Sequence, residues 1–96
     1  MSLTFEWNQQ KAEDNQKKHF VNFEDAQEVF FDVYRTEVYD DLEYGEDRYV
    51  TVGLVGPVVL VVVYSTPHDA TIRLISARKA KTDEQKNYWK CRPPYH

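Results

Sequence analysis

Residues 58 to 64 read VVLVVVY, an unbroken run of apolar and aromatic side chains. Successive side chains of an extended strand point to opposite faces, so a strand with this sequence has no face suited to water. The run fits a central strand covered on both sides, and it is too short to span a bilayer. A chain of 96 residues can build one modest core around such a strand, not two. The expectation is a single domain over residues 1–91 with a short tail, 92–96.

The neighbouring stretches complete a meander. RYVTVGL (48–54) and TIRLISAR (71–78) read as strands on either side, linked by VGP and by a turn around Pro67, His68 and Asp69. VYRTEVY (33–39) reads as a first strand, followed by an acidic loop, DDLEYGED, that turns at Gly45. Short links between successive strands imply antiparallel pairing.

Helical signals flank this block. FEDAQEVFFD sets Phe23, Ala26, Val29 and Phe30 at helical spacing. NQQKAEDNQKKH (8–19) is rich in helix formers but holds one apolar residue, Ala12. A helix this polar needs other anchors. Asn8 suits its N-cap, and Phe5 and Trp7 before it, with Phe20 and Val21 after it, are read as pinning its ends. Thr82 with Gln85 reads as the capping box of a last helix over 83–91. The resulting class is α+β: two N-terminal helices, a small antiparallel sheet of three or four strands, and a C-terminal helix.

The formal net charge of −4 conceals a polarity along the chain. Residues 22–48 carry ten acids against two arginines, whereas residues 71–96 carry seven lysines and arginines against two acids. A basic end leaves a polyanionic partner open despite the acidic total. One cysteine, Cys91, allows no disulfide framework, and residues 1–7 lack signal-peptide character, so a cytoplasmic location is expected, with no membrane partner.

His19, His68 and His96 are scattered, no Gly-rich phosphate loop is present, and no serine nucleophile motif occurs. No metal or other cofactor is therefore expected. What remains is a set of cations. Lys11, Asn15, and Lys18 or His19 share one helix face, which on spacing alone reads first as a solvated surface. Arg73 and Arg78 are an odd number apart, so a regular strand would send them to opposite faces, each available for an ion pair with the acids of 40–47.

The ordered set of FEWN, Lys11, Asn15, Lys18 and His19, then FEDAQEVFFD, Glu46-Asp47-Arg48, and IRLISARKA with Glu84 and Tyr88, resembles the BrnT family across about residues 5–89. That resemblance implies a RelE-like fold and an RNA-cleaving toxin of a type II toxin–antitoxin system. It further implies neutralisation by a BrnA-like antitoxin, through which alone the pair would bind operator DNA and repress its own operon. Asn8 stands where the family usually has Asp, Phe20 where it has Gly, and Gln85 and Lys86 where an arginine pair is common.

RNA carries its own nucleophile, the ribose 2′-OH, so cleavage needs proton transfer and stabilisation of charge at phosphorus rather than a metal. On the resemblance, His19 is the proton-transfer candidate and Arg73 and Arg78 the phosphate-stabilising ones, with Tyr88 completing the catalytic set. Lys11, Asn15, Lys18, Arg48 and Lys79 are the RNA-binding candidates. The alternative is a catalytically silent homologue that only binds its antitoxin; a stand-alone domain with an unrelated ligand is a third. The acids of 22–48 either attract a basic stretch of the antitoxin or neutralise the chain's own arginines.

Overall fold

The chain runs β1 (Thr4–Glu6), α1 (Gln9–His19), α2 (Phe23–Ala26) continued by a 3-10 turn (Gln27–Phe31), β2 (Thr36–Asp40), β3 (Arg48–Val55), β4 (Val58–Ser65), β5 (Thr71–Lys79) and α3 (Thr82–Cys91). The computed structural model describes residues 3–40 and 47–92. The expected acidic turn at Gly45 and the tail beyond Arg92 lie outside the described residues.

The sheet corrects the expected strand count. Among the described residues it has five strands in the order β1-β5-β4-β3-β2, and β1 pairs parallel to β5, so it is mixed rather than antiparallel. The three residues of β1 are too few to show a strand pattern, and only their docking beside Thr71–Arg73 makes them one. The meander β2-β3-β4-β5 is antiparallel throughout. Its β3–β4 hairpin closes through a two-residue loop whose first member, Gly56, has φ +56°, a left-handed conformation that glycine reaches without steric cost.

β4 is covered on both faces, as its composition requires. On one face Leu60, Val62 and Tyr64 join Ile72, Leu74 and Ala77 beneath α1 and α2, whose Ala12, Phe23 and Ala26 are buried there with Val29 of the 3-10 turn. On the other, Val59 and Val61 pack with Ala80 and Tyr88 under α3. A ring ladder crosses the first face: Tyr39, Tyr49, Tyr64, Phe30 and Phe5 follow one another at centroid distances of 5.4, 5.4, 4.9 and 5.6 Å. Such contacts add to the burial of the rings themselves.

The second N-terminal helix is shorter than its apolar spacing suggested. After one turn it tightens to 3-10, which presses Val29 against β3 at Gly53. A Cβ on Gly53 would stand 2.7 Å from Val29 Cγ2 and 3.0 Å from Arg35 Cβ, so only glycine admits this approach. The cap of α3 also differs from the expected Thr82–Gln85 box. Lys81 is the N-cap, and the Glu84 carboxylate accepts its backbone N–H at 2.7 Å. A charged acceptor makes the stronger cap; Gln85 instead donates to the Ala80 carbonyl.

The polar helix α1 is anchored at one end by aromatics and in its middle by an amide. Asn8 caps it, accepting Lys11 N–H at 3.0 Å, and Trp7 packs edge-on against Phe23. At the far end Val21 is buried, but Phe20 is 76% exposed and pins nothing. Phe20 instead occupies the C-terminal left-handed position, φ 59°, a conformation that favours glycine.

Candidate functional site

The position of the cations depends on an irregularity in β5. Val63 pairs with Ser76 and Tyr64 with Leu74, so Ile75 is an extra residue, a β-bulge. Beyond it the alternation of side chains changes phase. Arg73 pairs with Ser65 and Arg78 with Val61, residues four apart in regular β4, and the two arginines therefore share the sheet face that bears α3. The opposite-face arrangement of a regular strand does not occur. The shift from Ile72–Leu74 to Ala77 in the apolar positions was the signal for it in the sequence.

Among the described residues each arginine meets a carboxylate. Arg78 grips Glu84 of α3 with two N–H···O bonds of 2.8 Å each. Those bonds, with the Lys81 N–H and against the effect of burial, hold the Glu84 carboxyl at about 2. Arg73 Nε donates to Glu6 Oε2 at 2.7 Å. Arg48 stands in the same transverse row as Arg73: Glu6, Arg73, Ser65, Arg48 and Asp40 are successive partners across all five strands.

The helical candidates gather on the other side of β5. Lys11, Lys18 and His19 line an open groove of about 210 Å³ together with Asp14, Asn15, Ile75 and Ser76. β1 ends opposite Arg73, so the Ser76–Lys79 part of β5 has no strand on its outer edge among the described residues. Asn15 takes that place. Its Oδ1 accepts Ala77 N–H at 3.0 Å, and its amide nitrogen donates to the carbonyls of Ala77 and Val21, both at 2.9 Å. With both amide hydrogens committed and 6% exposure, Asn15 stitches helix to strand.

Tyr88, the fourth catalytic candidate, is held inside the fold. It is 1% exposed; its hydroxyl donates to Asp32 Oδ2 at 2.5 Å and accepts from Arg92 at 2.7 Å. Burial, then the bond to Asp32, push the phenol up to about 12. Burial alone would raise the Asp32 carboxyl, but bonds from Tyr88 and from the Leu54 and Tyr34 N–H groups, with the charge of Arg92, keep it below its ordinary value. Asp32 and Arg92 were not singled out by the sequence, where Asp32 is one acid among ten. Lys79 lies exposed at the end of β5, in a groove with Phe20, Val21 and Asp25.

The candidates thus form two groups astride one strand: Lys11, Lys18 and His19 beside the bulge, and Arg48, Arg73 and Arg78 on the α3 face. Among the described residues no cluster of three or more His, Cys, Asp or Glu could hold a metal ion, and no helix is long and apolar enough to cross a membrane.

Comparison with known proteins agrees with this architecture. The chain's structure is similar to the crystal structure of the Brucella abortus ribonuclease toxin BrnT, with a TM-score of 0.66 at 20% identity, covering 84% of this chain and 100% of that one. That degree of identity speaks to fold alone. No curated protein matches the chain. The family model of the ribonuclease toxin BrnT, of type II toxin–antitoxin systems, matches residues 7–84. The chain belongs to the BrnT family of ribonuclease toxins of type II toxin–antitoxin systems.

Proposed function

We propose that this protein is itself an active endoribonuclease that cuts RNA without a metal, in the cytoplasm, and is silenced by a BrnA-like antitoxin. The observation that carries the reading is the arrangement of cations on both sides of one strand segment, Arg73 to Arg78, whose outer edge beyond Arg73 lacks a strand neighbour among the described residues. An RNA strand crossing that edge meets His19, Lys11 and Lys18 on one side and the arginines on the other.

The chemistry follows from these groups. A 2′-OH attacks the adjacent phosphorus, one O–P bond forms, and the bond to the 5′ oxygen breaks. The 2′-OH loses a proton and the departing 5′ oxygen gains one; His19, whose ring nitrogens can accept or donate, carries one of these transfers and water the other. Arg73 balances the charge that builds on the phosphoryl oxygens, and Arg78 the charge of a neighbouring phosphate. Lys11, Lys18, Arg48 and Lys79 hold the backbone; Asn15 and Tyr88 keep the scaffold in place.

Purified protein incubated with total RNA in EDTA tests this beside His19→Ala and Arg73→Ala variants. Cleavage that survives EDTA and falls in both folded variants supports it. Undiminished cleavage in both removes the assigned roles.

The carboxylates on Arg73 and Arg78 favour a second reading, a silent homologue that binds its antitoxin and, through it, operator DNA to repress the operon. Growth arrest on expression without antitoxin decides against that reading. The antitoxin segment it would engage is basic: Asp32, Glu37 and Asp47 are hydrogen-bonded within the fold, but Glu24, Asp25 and Glu28 remain on the surface of one short stretch.

A further inference from the structure

On the α3 face of β4 the outward positions are Val59, Val61, Val63 and Ser65. The first two lie in the core beneath α3. Ser65 is beyond that core, at the far end of the strand, yet it is 2% exposed and its Oγ is buried with no hydrogen-bond partner among the described residues. Its row neighbours are Arg73 on β5 and Arg48 on β3, each about 5 Å away between Cβ atoms. The hydroxyl therefore lies in the valley between two arginine side chains. A buried hydroxyl normally finds a partner, and the group that two flanking guanidinium ions would draw to it is an anion.

We propose that Arg48, Ser65 and Arg73 form one phosphate seat, which takes a single phosphodiester of an RNA strand. As the phosphate draws the two arginines outward, it uncovers the Ser65 hydroxyl, which donates to a non-bridging oxygen. Glu6 and Asp40 close the row at its two ends, and Glu6 already holds Arg73 from the side. These outer carboxylates repel an anion that strays from the middle, so the row accepts one phosphate centred on Ser65. Arg78 stands four β4 residues further along, about 13 Å away, and serves a different phosphate. The seat deepens the ribonuclease reading and depends on it only for the nature of the polyanion.

The test is binding of a 2′-O-methyl oligoribonucleotide, which lacks the free 2′-OH and is not cut. Fluorescence anisotropy over a range of salt gives the slope of log K against log salt, whose magnitude is about 0.7 for each single-strand phosphate that the protein neutralises. Arg48→Gln and Arg73→Gln should each reduce that magnitude by about 0.7. The double variant should show the same reduction, not about 1.4, because both arginines hold one phosphate. Ser65→Ala should weaken binding roughly 5- to 10-fold with the slope unchanged and no fall in Tm, since the hydroxyl it removes has no partner in the free protein.

Unchanged slopes, additive slopes, absence of binding, or a Ser65→Ala variant with a lower Tm but full affinity would each overturn the seat. Wild type that binds with these slopes but leaves RNA intact in EDTA defeats the cleavage reading and leaves the seat standing.

Discussion

Asn15 of α1 is joined to Ala77 of β5 as one strand is joined to another: the Ala77 N–H bonds to Asn15 Oδ1 at 3.0 Å and Asn15 Nδ2 to the Ala77 carbonyl at 2.9 Å. An edge strand presents backbone groups that need covering, and here a side-chain amide supplies the cover. Asn15→Ala leaves those buried groups, and the Val21 carbonyl, without partners. The expected loss is roughly 2–4 kcal/mol, or a Tm lower by at least about 10 °C in a chain of this size. Thermal denaturation checks it, and a variant within a degree or two of wild type would contradict the stitch.

Phe20 holds a left-handed backbone conformation, φ 59°, with its ring in solvent. A side chain there costs about 1–2 kcal/mol, partly offset by the stiffness that it gives the unfolded chain. Phe20→Gly should therefore stabilise the protein by roughly 0.5–1 kcal/mol. Urea unfolding that shows a loss instead would mean the ring packs more closely than its exposure indicates.

Glu84 is held at about 2 by Arg78, against an ordinary value of 4.5. A folded-state value below the unfolded one means that stability is present above the ordinary value and is lost as pH falls toward 2. The pair is partly exposed, which limits its worth at neutral pH to about 1 kcal/mol. Glu84→Gln should be less stable by that amount at pH 7 and should have a shallower acid limb between pH 4.5 and 2. Equal acid limbs in the two proteins would show that the pair carries no such linkage.

Tyr88→Phe deletes the hydroxyl shared by Asp32 and Arg92. Removing a hydrogen bond to a charged group costs about 1.5–3 kcal/mol. The variant should unfold at lower urea while keeping its rate of RNA cleavage per folded molecule. A fall in that rate without a fall in stability would return Tyr88 to the catalytic set.

The strands of the meander were legible because their signals are local. Alternation in RYVTVGL, the two-faced apolar run of β4 and the turn residues between them place β3, β4 and β5 within a residue or two of where they lie. Asn8 and the buried face of Phe23, Ala26 and Val29 were legible for the same reason. The family resemblance rested on motifs scattered along the chain, and the match over residues 7–84 agrees with it.

What tertiary structure alone decided involves residues distant in sequence. β1 becomes a strand only through β5, more than 60 residues away, and Asn15 acquires its role through Ala77, 62 positions later. Asp32 becomes a hub only because Leu54 and Tyr88 converge on it. The bulge at Ile75 belongs to both classes: the phase shift is written in β5, but which face it gives Arg73 depends on the partner strand. Periodicity reports how a segment would lie against a generic apolar surface, whereas hydrogen bonds between distant groups depend on which surface the folded chain brings to it.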